Sequence, residues 1–73
     1  MGLTKFQVGD IIIVSQSIYT KISKIVMIDY ESKTYQLKVL ACNKNTWQTW
    51  MGIGSIVEQR AEKLPPELIP LYA

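Results

Sequence analysis

Residues 21–42 constrain this chain more than any other stretch. Two β-rich runs flank a polar centre, Asp29 to Lys33, which is the pattern of a β-hairpin with a short loop. The second run alternates: Tyr35, Leu37, Val39 and Ala41 are expected on one face, and Thr34, Gln36 and Lys38 on the other. A chain carrying such a hairpin must supply further strands to cover its apolar face. The expected fold class is therefore mainly β.

The length limits what can hold that fold together. With 73 residues there is room for one domain, read as a barrel over about residues 5–60 with the tail, 61–73, packed on it. A domain of this size buries only about 60% of its unfolded surface. Small folds compensate with disulfides, a metal or a partner. Cys42 is the single cysteine and there is no histidine, so an intramolecular disulfide is excluded and zinc loses its commonest ligand. Idealised packing or self-association is left, and no cofactor is expected.

At 48% hydrophobic and 19% charged residues the composition is globular. A net charge of +2 and a pI of 8.8 fall short of a strong nucleic-acid footprint. No apolar run has the length of a membrane span, and Ile11 to Val14 is strand-sized. The first residues lack the apolar core of a signal peptide, and Phe6 stands where a myristoylation signal needs Ser or Thr. A reducing cytoplasm is the expected compartment.

Taken in order, Phe6 and Val8 are expected to pack as the chain enters the sheet. Gly9-Asp10 is a turn signal. Ile11 to Ser15 reads as a strand buried on both faces, and Gln16 to Thr20 as a loop carrying an exposed Tyr19. Ile22 to Asp29 reads as the second strand. A bulge at Ser23-Lys24 would bring Ile22 and Ile25 to one face. Ile25 to Ile28 is unbroken apolar sequence, so one face of this strand must meet a second layer, the tail or another molecule. Asn43-Lys44-Asn45 is a second turn. Thr46 to Met51 is the fourth strand, with Trp47 and Trp50 on opposite faces and one of them in the core.

Ser55 to Leu64 has two readings. Ser55 with Glu58 fits a capping box, followed by Val57, Ala61 and Leu64 at helical spacing. A fifth strand, Ser55 to Arg60, is preferred because four strands leave an open edge; a short helical turn after it is compatible. The tail is apolar and punctuated by proline, and Leu68, Ile69, Leu71 and Tyr72 are expected to pack on the domain or on a partner.

This order of features resembles an SH3-like small β-barrel. The carriers are Phe6-x-Val8-Gly9-Asp10 before Ile11 to Val14, the Lys21-Ile22-Ser23-Lys24-Ile25 strand, the tight hairpin into Tyr35-x-Leu37-x-Val39, and an aromatic-containing strand. The resemblance implies a single barrel of about five antiparallel strands. Such barrels bind nucleic acids, peptides or chromatin, so fold alone does not decide function. The Ala-Leu-Tyr-Asp-Tyr opening and acidic specificity loop of peptide-binding SH3 domains are absent, as are the glycine-centred loops of ribosomal and transcription-factor relatives. The short chain also looks like the small accessory proteins of phages and plasmids.

Chemistry is sparse. Without histidine the usual general base is missing, Cys42 has no histidine to activate it, and the acids are scattered, so no enzyme is expected. Gly52-Ile53-Gly54 is too short for a phosphate loop. More apolar surface is present than one small core hides, which favours a protein partner. Tyr19, Tyr30, Trp50 and Tyr72 are the expected anchors, with Lys24 and Lys38 as rim charges, and a homodimer through the same patch is the simplest version. The alternative is a nucleic-acid-binding barrel using Lys21, Lys24, Lys38 and Lys44 with the same aromatics. No membrane partner is expected.

Overall fold

The computed structural model describes residues 4–16, 19–43 and 48–72, without the side chains of Gln16 and Tyr19. The elements are β1 (Ile11–Gln16), β2 (Tyr19–Asp29), β3 (Thr34–Cys42), β4 (Trp50–Gly52), α1 (Ile56–Arg60), β5 (Glu62–Lys63) and a 3₁₀ helix, Pro66–Leu71. The five strands form one antiparallel sheet in the order β4-β3-β2-β1-β5, curled into a half-barrel.

The lead-in is set by a turn. Gly9 takes φ +97°, and the Asp10 carboxylate accepts from the Gln7 N–H at 2.9 Å. Phe6 is buried by this turn, whereas Val8, expected to pack down, is 59% exposed. β1 then pairs with β2 from Ile11↔Lys24 to Gln16↔Tyr19. The second strand thus begins at Tyr19 rather than Ile22, and Gln16, Tyr19 and Thr20 of the expected loop are strand residues. The Ser15 and Thr20 hydroxyls meet across the two strands at 3.2 Å.

The bulges are not at Ser23-Lys24. Those two residues pair regularly with Val39 and Lys38. The register slips instead between Ile25 and Met27, leaving Val26 extra on β2, and between Ile22 and Ser23, leaving Leu40 extra on β3. Ile22 and Ile25 therefore face opposite sides. Both are buried because both faces of this part of the sheet are covered. The slip at Leu40 also moves Ala41 away from Tyr35, Leu37 and Val39, onto the face of Ile22.

The inner, concave face carries Phe6, Ile12, Val14, Ile25, Tyr35, Leu37, Met51 and Ala61. The outer face has a smaller cluster of Ile11, Ile22 and Leu64, on which Ile13, Leu40, Ala41, Ile69 and Tyr72 pack. The tail accordingly folds back over the β1 side of the sheet.

Ser55 to Arg60 is a helix, not the preferred fifth strand. The Ser55 hydroxyl accepts from the Glu58 N–H at 3.2 Å and caps α1. The Glu58 carboxylate reaches back to the Gly54 N–H at 2.8 Å, a capping box displaced by one residue. Lys5 closes the other end, its ammonium 2.7 Å from the Ala61 carbonyl. The helix touches both β4 and β1 and so fills the gap left by the incomplete barrel. The closing strand is only Glu62–Lys63, paired with Ile13 and Ile12, and Leu64 adds an N–H bond to the Ile11 carbonyl at 2.9 Å.

The fourth strand is shorter than expected. It begins at Trp50, not Thr46; Met51 is its buried residue, and Trp50 is half-exposed rather than core. Trp47 and the Lys44-Asn45 turn lie outside the described residues.

Candidate protein-binding face

The inward side chains of β3 fix what points outward. Tyr35 and Leu37 are buried, so Gln36 and Lys38 stand on the outer face. Cross-strand partners share a face. Gln36 pairs with Met27 on β2 and with Trp50 on β4, which makes a row Met27–Gln36–Trp50 across three strands. One step along, Lys38 pairs directly with Lys24. The bulge residue Val26 adjoins the row. Met27 is 50% exposed, Trp50 49% and Val26 48%, and both lysines are exposed.

The outer face is thus divided. The β1 side, with Ile22 of β2 and the Leu40–Ala41 end of β3, belongs to the cluster that the tail joins through Leu64, Ile69 and Tyr72, while the part formed by Lys24, Val26 and Met27 of β2, Gln36 and Lys38 of β3 and Trp50 of β4 is open. The open part combines a tryptophan, a methionine and a valine with two cations.

Trp50, Lys24 and Lys38 of the expected residues come together here. Tyr30 stands 63% exposed on the hairpin loop. That loop is built by the Asp29 carboxylate, which accepts from the Glu31 N–H at 3.0 Å and the Ser32 N–H at 3.2 Å. These bonds, that of Ser32 foremost, hold the Asp29 carboxyl below its ordinary value. Lys33 completes the turn at φ +58°.

Other expected residues have different surroundings. Tyr72 is partly buried in the outer cluster, where its ring holds the tail to the sheet. Lys21, expected as a cation for nucleic acid, is 4% exposed. Its pairing with Val14 and Cys42 puts it on the inner face, and its ammonium donates to the Gln48 carbonyl at 3.0 Å. Burial lowers its pKa, with a smaller opposing effect from Cys42. Lys44 and the Tyr19 side chain lie outside the described residues.

Val26 and Met27 were not among the expected contact residues. Their signal was the unbroken apolar run Ile25 to Ile28, which required a second covered face without showing which residues would supply it.

A separate cleft of about 370 Å³ opens between the start of β1 and the tail, lined by Asp10, Ile11, Lys63, Leu64, Pro66 and Ile69 among others. Lys63 and Asp10 pair across it at 3.8 Å. Among the described residues no group of three or more His, Cys, Asp or Glu side chains could hold a metal ion, and no helix is long and apolar enough to cross a membrane. Compared with known protein families, with curated proteins and with solved structures, the chain finds no match.

Proposed function

We propose that this chain is a non-enzymatic binding module of SH3-like architecture that recognises a protein partner through the open half of its outer face. The observation that carries the proposal is the row Met27–Gln36–Trp50 across three paired strands, with half-exposed Met27 and Trp50 and with Val26 beside it. Trp and Met are enriched at protein interfaces, and half-exposed large apolar side chains grouped on one face mark such sites. Sheet order supports the SH3-like reading: a four-strand meander, a helical turn, then a short strand returning to β1. Self-association through the same face is one form of the proposal. A cytoplasmic setting, as for small phage or plasmid accessory proteins, fits the single cysteine.

One observation favours nucleic acid as a second reading. Lys24 and Lys38 lie one step from Trp50's row, and single-strand binders combine cations with stacking rings.

The test compares the wild-type chain with the V26S/M27S/W50S variant in quantitative affinity capture, after circular dichroism shows both folded. Proteins retained by the wild type and lost by the variant support the proposal. Equal retention overturns it. Titration of the Trp47→Phe chain with oligonucleotides at low and moderate salt tests the second reading, since Trp50 is then the reporting tryptophan.

A further inference from the structure

We infer that the segment bound by this face is acidic and extended: it sets an Asp or Glu carboxylate between Lys24 and Lys38 and rests a large apolar side chain on Met27 and Trp50. The inference rests on the protein-binding reading above and names the chemistry of the partner.

Two positions carry it. Lys24 and Lys38 are direct cross-strand partners, both exposed. Like charges in that arrangement repel and are destabilising. No carboxylate relieves them: the salt bridge among the described residues is Lys63 with Asp10, at the cleft beside the tail. The neighbours of the lysines on this face, Ile11, Ile22, Met27 and Gln36, are apolar or neutral, and the acids that share the face, Asp29 opposite Thr34 and Glu62 opposite Ile13, stand further off. A carboxylate arriving from a partner between Lys24 and Lys38 would meet two cations and no adjoining acid.

The spacing selects an extended partner. Lys38 and Gln36 are two residues apart on β3, so the lysine pair and the apolar row lie about 7 Å apart along the strand. An extended segment lying along β3 on the outer face has the same repeat, residues i and i+2 on one face. A sequence acid-x-apolar therefore matches lysines and row together. A nucleic-acid strand would also meet the lysines, but Val26 and Met27 offer its bases no stacking surface.

A displayed library of short random peptides, selected on the full chain and counter-selected on the M27S/W50S variant, tests the inference. The enriched peptides should share Asp or Glu two residues from a large apolar residue. Their affinity for the K24E/K38E variant should fall on the order of tenfold, and peptides with Lys in place of the acid should prefer that variant. Peptides that depend on Met27 and Trp50 but carry no acid, and bind K24E/K38E as well as the wild type, overturn the acidic partner and leave the protein-binding reading standing. Enrichment of no patch-dependent peptide overturns both. Salt-sensitive quenching of Trp50 by oligonucleotides would then assign the lysines to phosphates.

Discussion

The Tyr35 hydroxyl donates a hydrogen bond to the Glu58 carboxylate, joining the start of β3 to the helix that follows β4. The same hydroxyl accepts from the Lys5 N–H at 2.9 Å and the Phe6 N–H at 3.3 Å. Three parts of the chain, distant in sequence, are thereby tied at one buried point. Tyr35→Phe removes the hydroxyl, leaves the Phe6 N–H without its partner, and reduces the Lys5 N–H and the Glu58 carboxylate oxygen to their own contact at 3.3 Å. The variant should lose about 2–3 kcal/mol of stability in urea denaturation.

The same contact has a pH signature. Burial first, and the bond to Glu58 second, push the Tyr35 phenol from 10.0 up to about 12. A raised pKa means the folded chain holds this proton more tightly than the unfolded chain. Its contribution to stability is full below pH 10.0 and is lost as pH rises towards about 12. Ultraviolet titration of phenolate should show a late-ionising component that is absent in Tyr35→Phe.

Lys21 acts in the opposite sense. Its folded pKa lies below the ordinary 10.5, so the unfolded chain holds that proton more tightly. Between its lowered folded value and 10.5 this group makes stability rise with pH. Lys21→Met should abolish that slope. It loses the bond to the Gln48 carbonyl but also the burial of a charge, so the net change at neutral pH should stay within about 1 kcal/mol. Chemical denaturation across a pH series checks both statements.

Ser23 has a side chain that the fold does not satisfy. It is 1% exposed, between Ile12 and Val39 in the register, and its hydroxyl has no hydrogen-bond partner. Burying an unpaired hydroxyl is unfavourable. Ser23→Ala should therefore stabilise the chain by about 1 kcal/mol, seen as a raised thermal midpoint.

Ser55 does two things at the start of α1. It accepts from the Glu58 N–H and donates to the Gly52 carbonyl at 2.7 Å. Ser55→Ala should cost about 1–2 kcal/mol. Ser55→Asp keeps the acceptor and lacks the donor, so it should recover only part of that loss in the same thermal melts.

The sequence made the central hairpin legible because two signals agreed there: alternation from Thr34 to Val39 and a polar loop closed by Asp29. It misplaced the bulges because Val26 and Leu40 are ordinary apolar strand residues, and only their partners' positions reveal that they are extra. For Ser55 to Arg60 local and global arguments conflicted. Edge protection argued for a strand, yet the Ser55 cap and the Glu58 side chain argued for a helix, and a helix turned out to fill the same gap. Of the candidate face, Trp50, Lys24 and Lys38 could be named in advance. Met27's place opposite Gln36 depends on a register slip that no single strand encodes. Lys21 looked like a surface cation because its ammonium's carbonyl partner lies far away in sequence.

The brevity of β5 has a consequence for crowded solutions. Its two residues, Glu62 and Lys63, are charged and exposed. Leu64 then spends its N–H on Ile11, and Pro65 and Pro66 have none. A second molecule approaching this margin finds almost no ladder to extend. Edge-to-edge addition of copies is therefore disfavoured at this margin, and the other margin of the sheet, β4, is only three residues long.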